Sequence, residues 1–308
     1  MFKSGFQVTQ STLIRSFAIY RDQLRSIAIN CDQQISINLS IGSRMYTDFS
    51  NKHILVTGGS KGIGYSCAQA FLGEGARVTI VSRSQENLDT AVSKLKAEFG
   101  NSTNIFAVSS DLTIDSDALD AISKAKSHFG DIDVLINSAG AAKRTSAEDL
   151  NPKIWMDAMQ AKFFSYINVI DPVVKEMAAR RSGVIVNVIG MGGKFATPVH
   201  LAGGSANAAL MLATTGLATA YAPYEVRING INPGLTFTER LKEGIKVEAK
   251  RGNISEEDAL KAAIQKIPLK RMALPEEVAR VALFLASKEA SYVTGQIIGM
   301  EGASCPII

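Results

Sequence analysis

The sequence predicts a doubly wound α/β fold, a single domain on a seven-stranded parallel sheet with helices on both faces. Three observations predict it. Short apolar runs rich in β-branched residues recur along the chain, helix-forming segments separate most of them, and a glycine-rich turn follows the first run. Strand–helix–strand alternation requires crossover connections, and right-handed crossovers place helices on both faces of a parallel sheet.

His53-Ile54-Leu55-Val56 opens the pattern. It is too short for a buried helix and reads as a strand buried on both faces. It runs into Thr57-Gly58-Gly59-Ser60-Lys61-Gly62-Ile63-Gly64 and then into Tyr65–Leu72, which has helix-forming composition. Further apolar runs follow at Arg77–Val81, Ile105–Val108, Val134–Ile136, Val184–Val188, Val226–Ile231 and Gln296–Ile298. Helical patterns lie at Glu86–Phe99, Ser116–Phe129, Ile154–Met177, Ala206–Tyr221 and Pro275–Ala286. No repeat of solenoid period and no low-complexity tract interrupts them, so residues 45–308 read as one domain.

The glycine-rich turn carries the first chemical signal. A glycine triplet alone is an ordinary tight turn. Between a strand and a helix it reads as a dinucleotide site, because glycines let the backbone approach a pyrophosphate and the helix N-terminus offers N–H groups to the anion. Gly58, Ser60, Lys61, Gly62, Ile63 and Gly64 are the candidate contacts.

The spacing Thr-Gly-x-x-x-Gly-x-Gly resembles that of the short-chain dehydrogenase/reductase family, and the resemblance covers Lys52 to Glu301. It includes Asp111-Leu112 after the third strand and Asn137-Ser138-Ala139-Gly140 after the fourth. Asn232-Pro233-Gly234 with Thr238, Pro275-Glu276-Glu277-Val278-Ala279, and Tyr292-Val293-Thr294-Gly295-Gln296 follow in the family's order. The resemblance implies a Rossmann domain. It also adds Asp111, Leu112, Asn137, Ala139, Gly140, Pro233, Gly234 and Thr238 to the cofactor contacts, with a variable substrate lid at about 236–270.

NAD-selective sites place an acid near the end of the second strand to accept from the ribose 2′-hydroxyl. That segment here is Val81-Ser82-Arg83-Ser84, without an acid, and Lys61 precedes the second glycine. Ser82, Arg83 and Lys61 suit a 2′-phosphate, so NADP(H) is expected in preference to NAD(H). The plainer reading leaves Arg83 capping a solvated turn.

The family's chemistry uses an Asn, a Ser and a Tyr-x-x-x-Lys pair. Alignment on neighbouring residues puts Lys162 at the Asn position, Gly190 at the Ser position, Gly203 at the Tyr position and Asn207 at the Lys position. All four have changed. Positions 200, 203 and 207 share one helical face if the helix includes them. His200 is therefore a candidate general acid, Lys162 a candidate source of the missing positive charge, and Asn207 a candidate donor to the ribose hydroxyls. The plainer readings are that His200 caps a loop and that Lys162 snorkels out of its helix. The expectation is an NAD(P)(H)-dependent oxidoreductase of a carbonyl/alcohol pair with a rebuilt proton relay. A nucleotide-binding or assembly protein without catalysis is the alternative. Leu235, Phe237, Leu241 and Ile245 suggest a partly hydrophobic small-molecule substrate, though they serve equally as helix-packing positions.

Net charge is +4, and no basic run is interleaved with aromatics, so nothing points to nucleic acid. No apolar stretch reaches the length of about 18 residues that a membrane span requires. Cys31, Cys67 and Cys305 are widely spaced, which supports neither a disulfide framework nor a metal site and suits a reducing compartment. Residues 1–44 stand outside the fold pattern. Lys3, Arg15, Arg21, Arg25 and Arg44 face only Asp22 and Asp32, and Leu13, Phe17, Tyr20, Leu24 and Ile27 share a helical face. That is either a mitochondrial transit peptide or an over-long start, the second giving a cytoplasmic protein. The family resemblance implies a homodimer or homotetramer.

Overall fold

The computed structural model describes residues 48–140 and 143–305. The expectations for the 1–44 extension and for Cys31 lie outside the described residues. Seven parallel strands form one sheet: β1 (His53–Thr57), β2 (Arg77–Ser82), β3 (Ile105–Ser109), β4 (Val134–Asn137), β5 (Gly183–Val188), β6 (Val226–Pro233) and β7 (Ile297–Met300). Their order is β3-β2-β1-β4-β5-β6-β7. The chain reverses its winding direction between β1 and β4, and such a switch point opens a crevice at the carboxyl ends of the strands.

One face is covered by α1 (Gly62–Gly73), α2 (Gln85–Glu98) and α9 (Pro275–Ala286), which bury Phe71, Leu88, Leu95 and Leu285 with Ile54 and Val56. On the other face α3 (Asp115–Phe129), α5 (Ser165–Ala179) and α6 (Leu201–Tyr221) bury Ile122, Val169, Ile170, Met177 and Leu210 with Leu55, Leu135 and Ile185. The central strands β1 and β4 are buried along their whole length, as their unbroken apolar runs require. The Arg227 guanidinium closes the C-terminus of α9, donating to the carbonyls of Leu285 at 2.7 Å and Ser287 at 2.9 Å.

Two elements differ from the sequence expectation. The long fourth-crossover helix is not continuous: α4 (Pro152–Ala158) passes through a π-helical turn, Met159–Phe164, into α5. The wider turn accommodates Gly140. A Cβ on that residue would lie 2.4 Å from the Ala161 carbonyl oxygen. The second difference is at α6, which begins at Leu201, so His200 is its N-cap residue in non-helical geometry. His200 is thus not on the helical face shared by Gly203 and Asn207, and its approach to Asn207 has another cause, described below.

A polar chain crosses the buried sheet. Thr57 Oγ1 donates to Asn137 Oδ1 at 3.2 Å, Asn137 Nδ2 to Asn187 Oδ1 at 3.0 Å, and Asn187 Nδ2 to Thr214 Oγ1 at 2.9 Å. Thr57 Oγ1 also accepts from the backbone N–H groups of Ser138 and Ala139, which sets the backbone after β4. Each member is satisfied by the next, so the chain ties β1, β4, β5 and α6 together where an unpaired group would be costly.

His53 is fully buried at the base of β1. Its Nδ1 donates to the Gly130 carbonyl at 2.8 Å, and its Nε2 accepts from the Thr79 hydroxyl at 2.9 Å. A carbonyl only accepts, so the neutral Nδ1–H tautomer follows. Burial pushes the imidazole pKa below its ordinary value. The native state therefore holds fewer protons here than the unfolded chain, and stability rises with pH. The contribution is complete above the unfolded value of about 6.5 and is lost as pH falls below it. Urea denaturation at pH 7.5 and 5.5 should show this slope, and His53→Gln should flatten it. An unchanged slope in that variant would place the titration elsewhere.

Candidate active site

The cofactor candidates lie at the carboxyl ends of β1, β2, β3, β4 and β6, with Asn207 on α6. Gly58 has φ +67°, and a Cβ there would lie 2.8 Å from the Ala139 nitrogen. A Cβ on Gly64 would lie 2.3 Å from the Gly58 carbonyl oxygen, so helix and turn touch backbone to backbone. Lys61, the N-cap of α1, makes no side-chain cap. The first-turn N–H groups of Gly62, Ile63 and Gly64 therefore have no side-chain acceptor, which fits a pyrophosphate at this helix end.

Ser60 Oγ donates to Ser82 Oγ at 2.9 Å, joining the glycine turn to the end of β2, where Arg83 and Lys61 are exposed. Lys242 through a hydrogen bond, and Lys61 more weakly by its charge, hold the Glu239 carboxyl below the ordinary range. Lys61 therefore sits near the start of the lid. Thr238 meets the glycine turn directly: a Cβ on Gly62 would lie 3.3 Å from its Cγ2. Asp111 folds back on its own loop, Oδ1 accepting from Thr113 Oγ1 at 2.8 Å, while Leu112 is buried and its carbonyl accepts from Asn168. Asn137 is committed to the polar chain, Gly140 has φ +93° against the π-turn, Pro233 is buried at the end of β6, and the Gly234 N–H donates to the Met300 carbonyl.

The chemical candidates meet around glycines that follow β5. Gly190 has φ +120°, a conformation that only glycine adopts without strain, and its N–H donates to Asn232 Oδ1 at 3.3 Å. Gly190, expected from the sequence at the family's Ser position, is thus held by its backbone. A Cβ on Gly192 would lie 2.9 Å from His200 Cδ2, 3.3 Å from His200 Nε2 and 3.2 Å from Asn207 Nδ2. The imidazole and the amide therefore share the space beside one glycine. His200 reaches it from a loop, since its N–H donates to the Thr197 carbonyl and Val199 accepts from the Thr145 N–H. Gly203 and Asn207 are both buried within α6.

Lys162 does not snorkel to solvent. It is 7% exposed, and its ammonium donates to Tyr166 Oη at 2.8 Å and to the Val188 carbonyl at 3.2 Å, at the end of β5. Helical spacing assumes a regular α-helix, whereas the π-turn rotates Lys162 into the fold.

The apolar lid residues do not form one surface. Leu241 and Ile245 pack on Ala249, Ala259 and Leu260, where α7 (Glu239–Gly252) meets α8 (Glu256–Gln265), so they are helix-packing positions. Phe237 is half-exposed, and Leu235 lines a small cavity with Ile267 and Met300. Among the described residues, no group of His, Cys, Asp and Glu is placed to hold a metal ion, and no helix is long and apolar enough to cross a membrane. Cys67 is buried, which pushes its thiol up to about 12.

Sequence reasoning did not single out Tyr166, Thr57, Asn187 or Thr214. For Asn187 a signal existed, an amide inside the apolar run Val184–Val188 of a central strand. For Tyr166 there was none, because an aromatic on a helix reads as core.

The chain belongs to the short-chain dehydrogenase/reductase family of oxidoreductases. A family model described as enoyl-(acyl carrier protein) reductase matches residues 58–302. The 3-oxoacyl-(acyl-carrier-protein) reductase FabG of Thermotoga maritima is 32% identical over 254 residues, covering 82% of this chain and 96% of the relative. L-sorbose reductase from Gluconobacter frateurii, solved with NADPH and L-sorbose, superposes with a TM-score of 0.79 at 27% identity, covering 86% of this chain and all of that one. An NADPH-bound short-chain oxidoreductase from Pseudomonas aeruginosa, described as containing an atypical catalytic center, has a TM-score of 0.77 at 29% identity. That match covers 85% of this chain and 99% of the other.

Proposed function

We propose that the protein interconverts a small carbonyl compound and its alcohol with NADP(H), using a rebuilt proton relay. The observation that carries this reading is the convergence of the His200 imidazole and the Asn207 amide beside Gly192 at the carboxyl end of β5. Gly58, Gly62, Ile63 and Gly64 would hold the pyrophosphate of NADP(H), whose nicotinamide would supply or accept the hydride. His200 gives the proton to the developing alkoxide in reduction and takes it in oxidation. Asn207 donates to ribose hydroxyls, the part of the family lysine's role that an amide retains. Lys162 supplies positive charge from the end of β5, where it favours the developing alkoxide.

The preference for NADP(H) is supported by exposed Arg83 and Lys61 beside Ser82, with no acid at the end of β2. A homodimer or homotetramer is part of the same reading. Leu212, 77% exposed on α6, and half-exposed Phe164 on the π-turn offer the apolar contact. The wide spacing of the three cysteines supports a cytoplasmic setting.

Calorimetric titration with NADPH and NADH side by side tests the cofactor reading. NADPH should bind more tightly. Arg83→Ala should weaken NADPH by about 10- to 100-fold, the worth of one or two charge-assisted hydrogen bonds, and leave NADH nearly unchanged. Binding of neither nucleotide would overturn the oxidoreductase reading in favour of a fold kept for assembly.

A further inference from the structure

We propose that Tyr166 is a positioning residue for this reaction, holding the Lys162 ammonium at the end of β5 so that the pair supplies the electrostatic part of the missing tyrosine and lysine. The proposal rests on the reductase reading above. Tyr166 is fully buried, and its hydroxyl accepts from Lys162, through which it acts.

Three hydrogen bonds close a triangle. Lys162 Nζ donates to Tyr166 Oη at 2.8 Å and to the Val188 carbonyl at 3.2 Å, and Tyr166 Oη donates to that same carbonyl at 2.5 Å. The ammonium stands on the hydroxyl side of the Tyr166 ring, 4.3 Å from its centre. An ammonium taken out of water is tolerated only where such groups replace its hydration. The Tyr166 hydroxyl and the Val188 carbonyl are neutral acceptors for it.

The backbone prepares this placement. The π-turn Met159–Phe164 ends one residue before α5, and Lys162 and Tyr166 lie four apart across that boundary. Gly140 backs the turn, since a Cβ there would lie 3.3 Å from the Lys162 Cα. The charge thus lies at the end of β5, on the carbonyl of Val188, two residues before Gly190. In the family's pattern, tyrosine precedes lysine on the fifth-crossover helix. Here lysine precedes tyrosine by the same spacing on the fourth, and the tyrosine orients the lysine instead of giving up the proton.

Tyr166→Phe keeps the ring and removes only the hydroxyl. In the NADPH-bound full chain, NMR of ¹⁵N-lysine-labelled protein should show a slowly exchanging ammonium signal, assigned to Lys162 by its loss in Lys162→Met. That signal should broaden or vanish in Tyr166→Phe. With camphorquinone as the probe carbonyl, kcat should fall about tenfold while KM for NADPH stays within about twofold. The fall should be absent when Lys162 is already Met. An unchanged ammonium signal in Tyr166→Phe overturns the proposal, and so does a fall in kcat of the same size in the Lys162→Met background. A lost signal together with full turnover overturns the positioning role. A lost signal where the unaltered protein shows no turnover supports the Lys162–Tyr166 contact and counts against the reductase reading alone.

Discussion

His200→Ala lowers carbonyl reduction by about 10²- to 10⁴-fold, the range for removing a positioned general acid. The affinity for NADPH, measured by calorimetry, stays nearly unchanged. The reason is geometric: the imidazole lies beside Gly192, away from the glycine turn that takes the pyrophosphate. Removing it takes the proton donor and leaves the hydride geometry intact. Proximity of the reacting atoms contributes about 7–11 kcal/mol in well-oriented reactions, so a slow residual rate with water as the donor is expected. His200→Gln keeps a polar side chain of similar reach and loses the titrating group, so it should be about as slow as the alanine variant. Turnover that survives either change at full rate would remove His200 from the relay.

Gly64→Ala abolishes NADPH binding, with a loss of more than about 100-fold. The added Cβ would fall 2.3 Å from the Gly58 carbonyl oxygen and 2.7 Å from its carbon. Both are backbone atoms, so no side chain can rotate away, and the turn must open or α1 must move off the sheet. Either movement pulls the first-turn N–H groups away from the place where a pyrophosphate sits. Gly73→Ala is the matched control at the other end of the same helix. Its Cβ would meet only the Phe99 ring at 3.8 Å, an ordinary contact, and binding should survive. Circular dichroism separates a lost site from a lost fold. Equal NADPH affinity in the two variants would mean that the cofactor does not lie on this turn.

Much of the architecture was legible because parallel strands buried on both faces must be apolar throughout, and helices between them must carry an apolar stripe. The runs at Arg77–Val81 and Ile105–Val108 became β2 and β3 with one residue added at each carboxyl end. The lid was legible as helical but not in its partners. Leu241 and Ile245 have the spacing of a ligand-facing surface and of a helix–helix contact alike, and only the neighbouring α8 decides between them. For the long crossover helix, periodicity averages over many residues, so one π-turn leaves almost no trace in the pattern. Gly140, which lies against this turn, comes well before it in the chain and is adjacent to it only after folding.

The sequence by itself determined the doubly wound fold, the glycine turn and the absence of an acid after the second strand. All of these reside in short contiguous segments whose chemistry needs no distant partner. Only the tertiary structure decided that Lys162 is buried on Tyr166 and Val188, that Gly190 is held in a conformation reserved for glycine, and that His200 reaches Gly192, beside Asn207, from a loop instead of along a helix. Those outcomes depend on which backbone segments pack against one another at the ends of β4 and β5. A side chain's direction there is set by neighbours far away in sequence, while its own segment fixes only what it can do once it arrives.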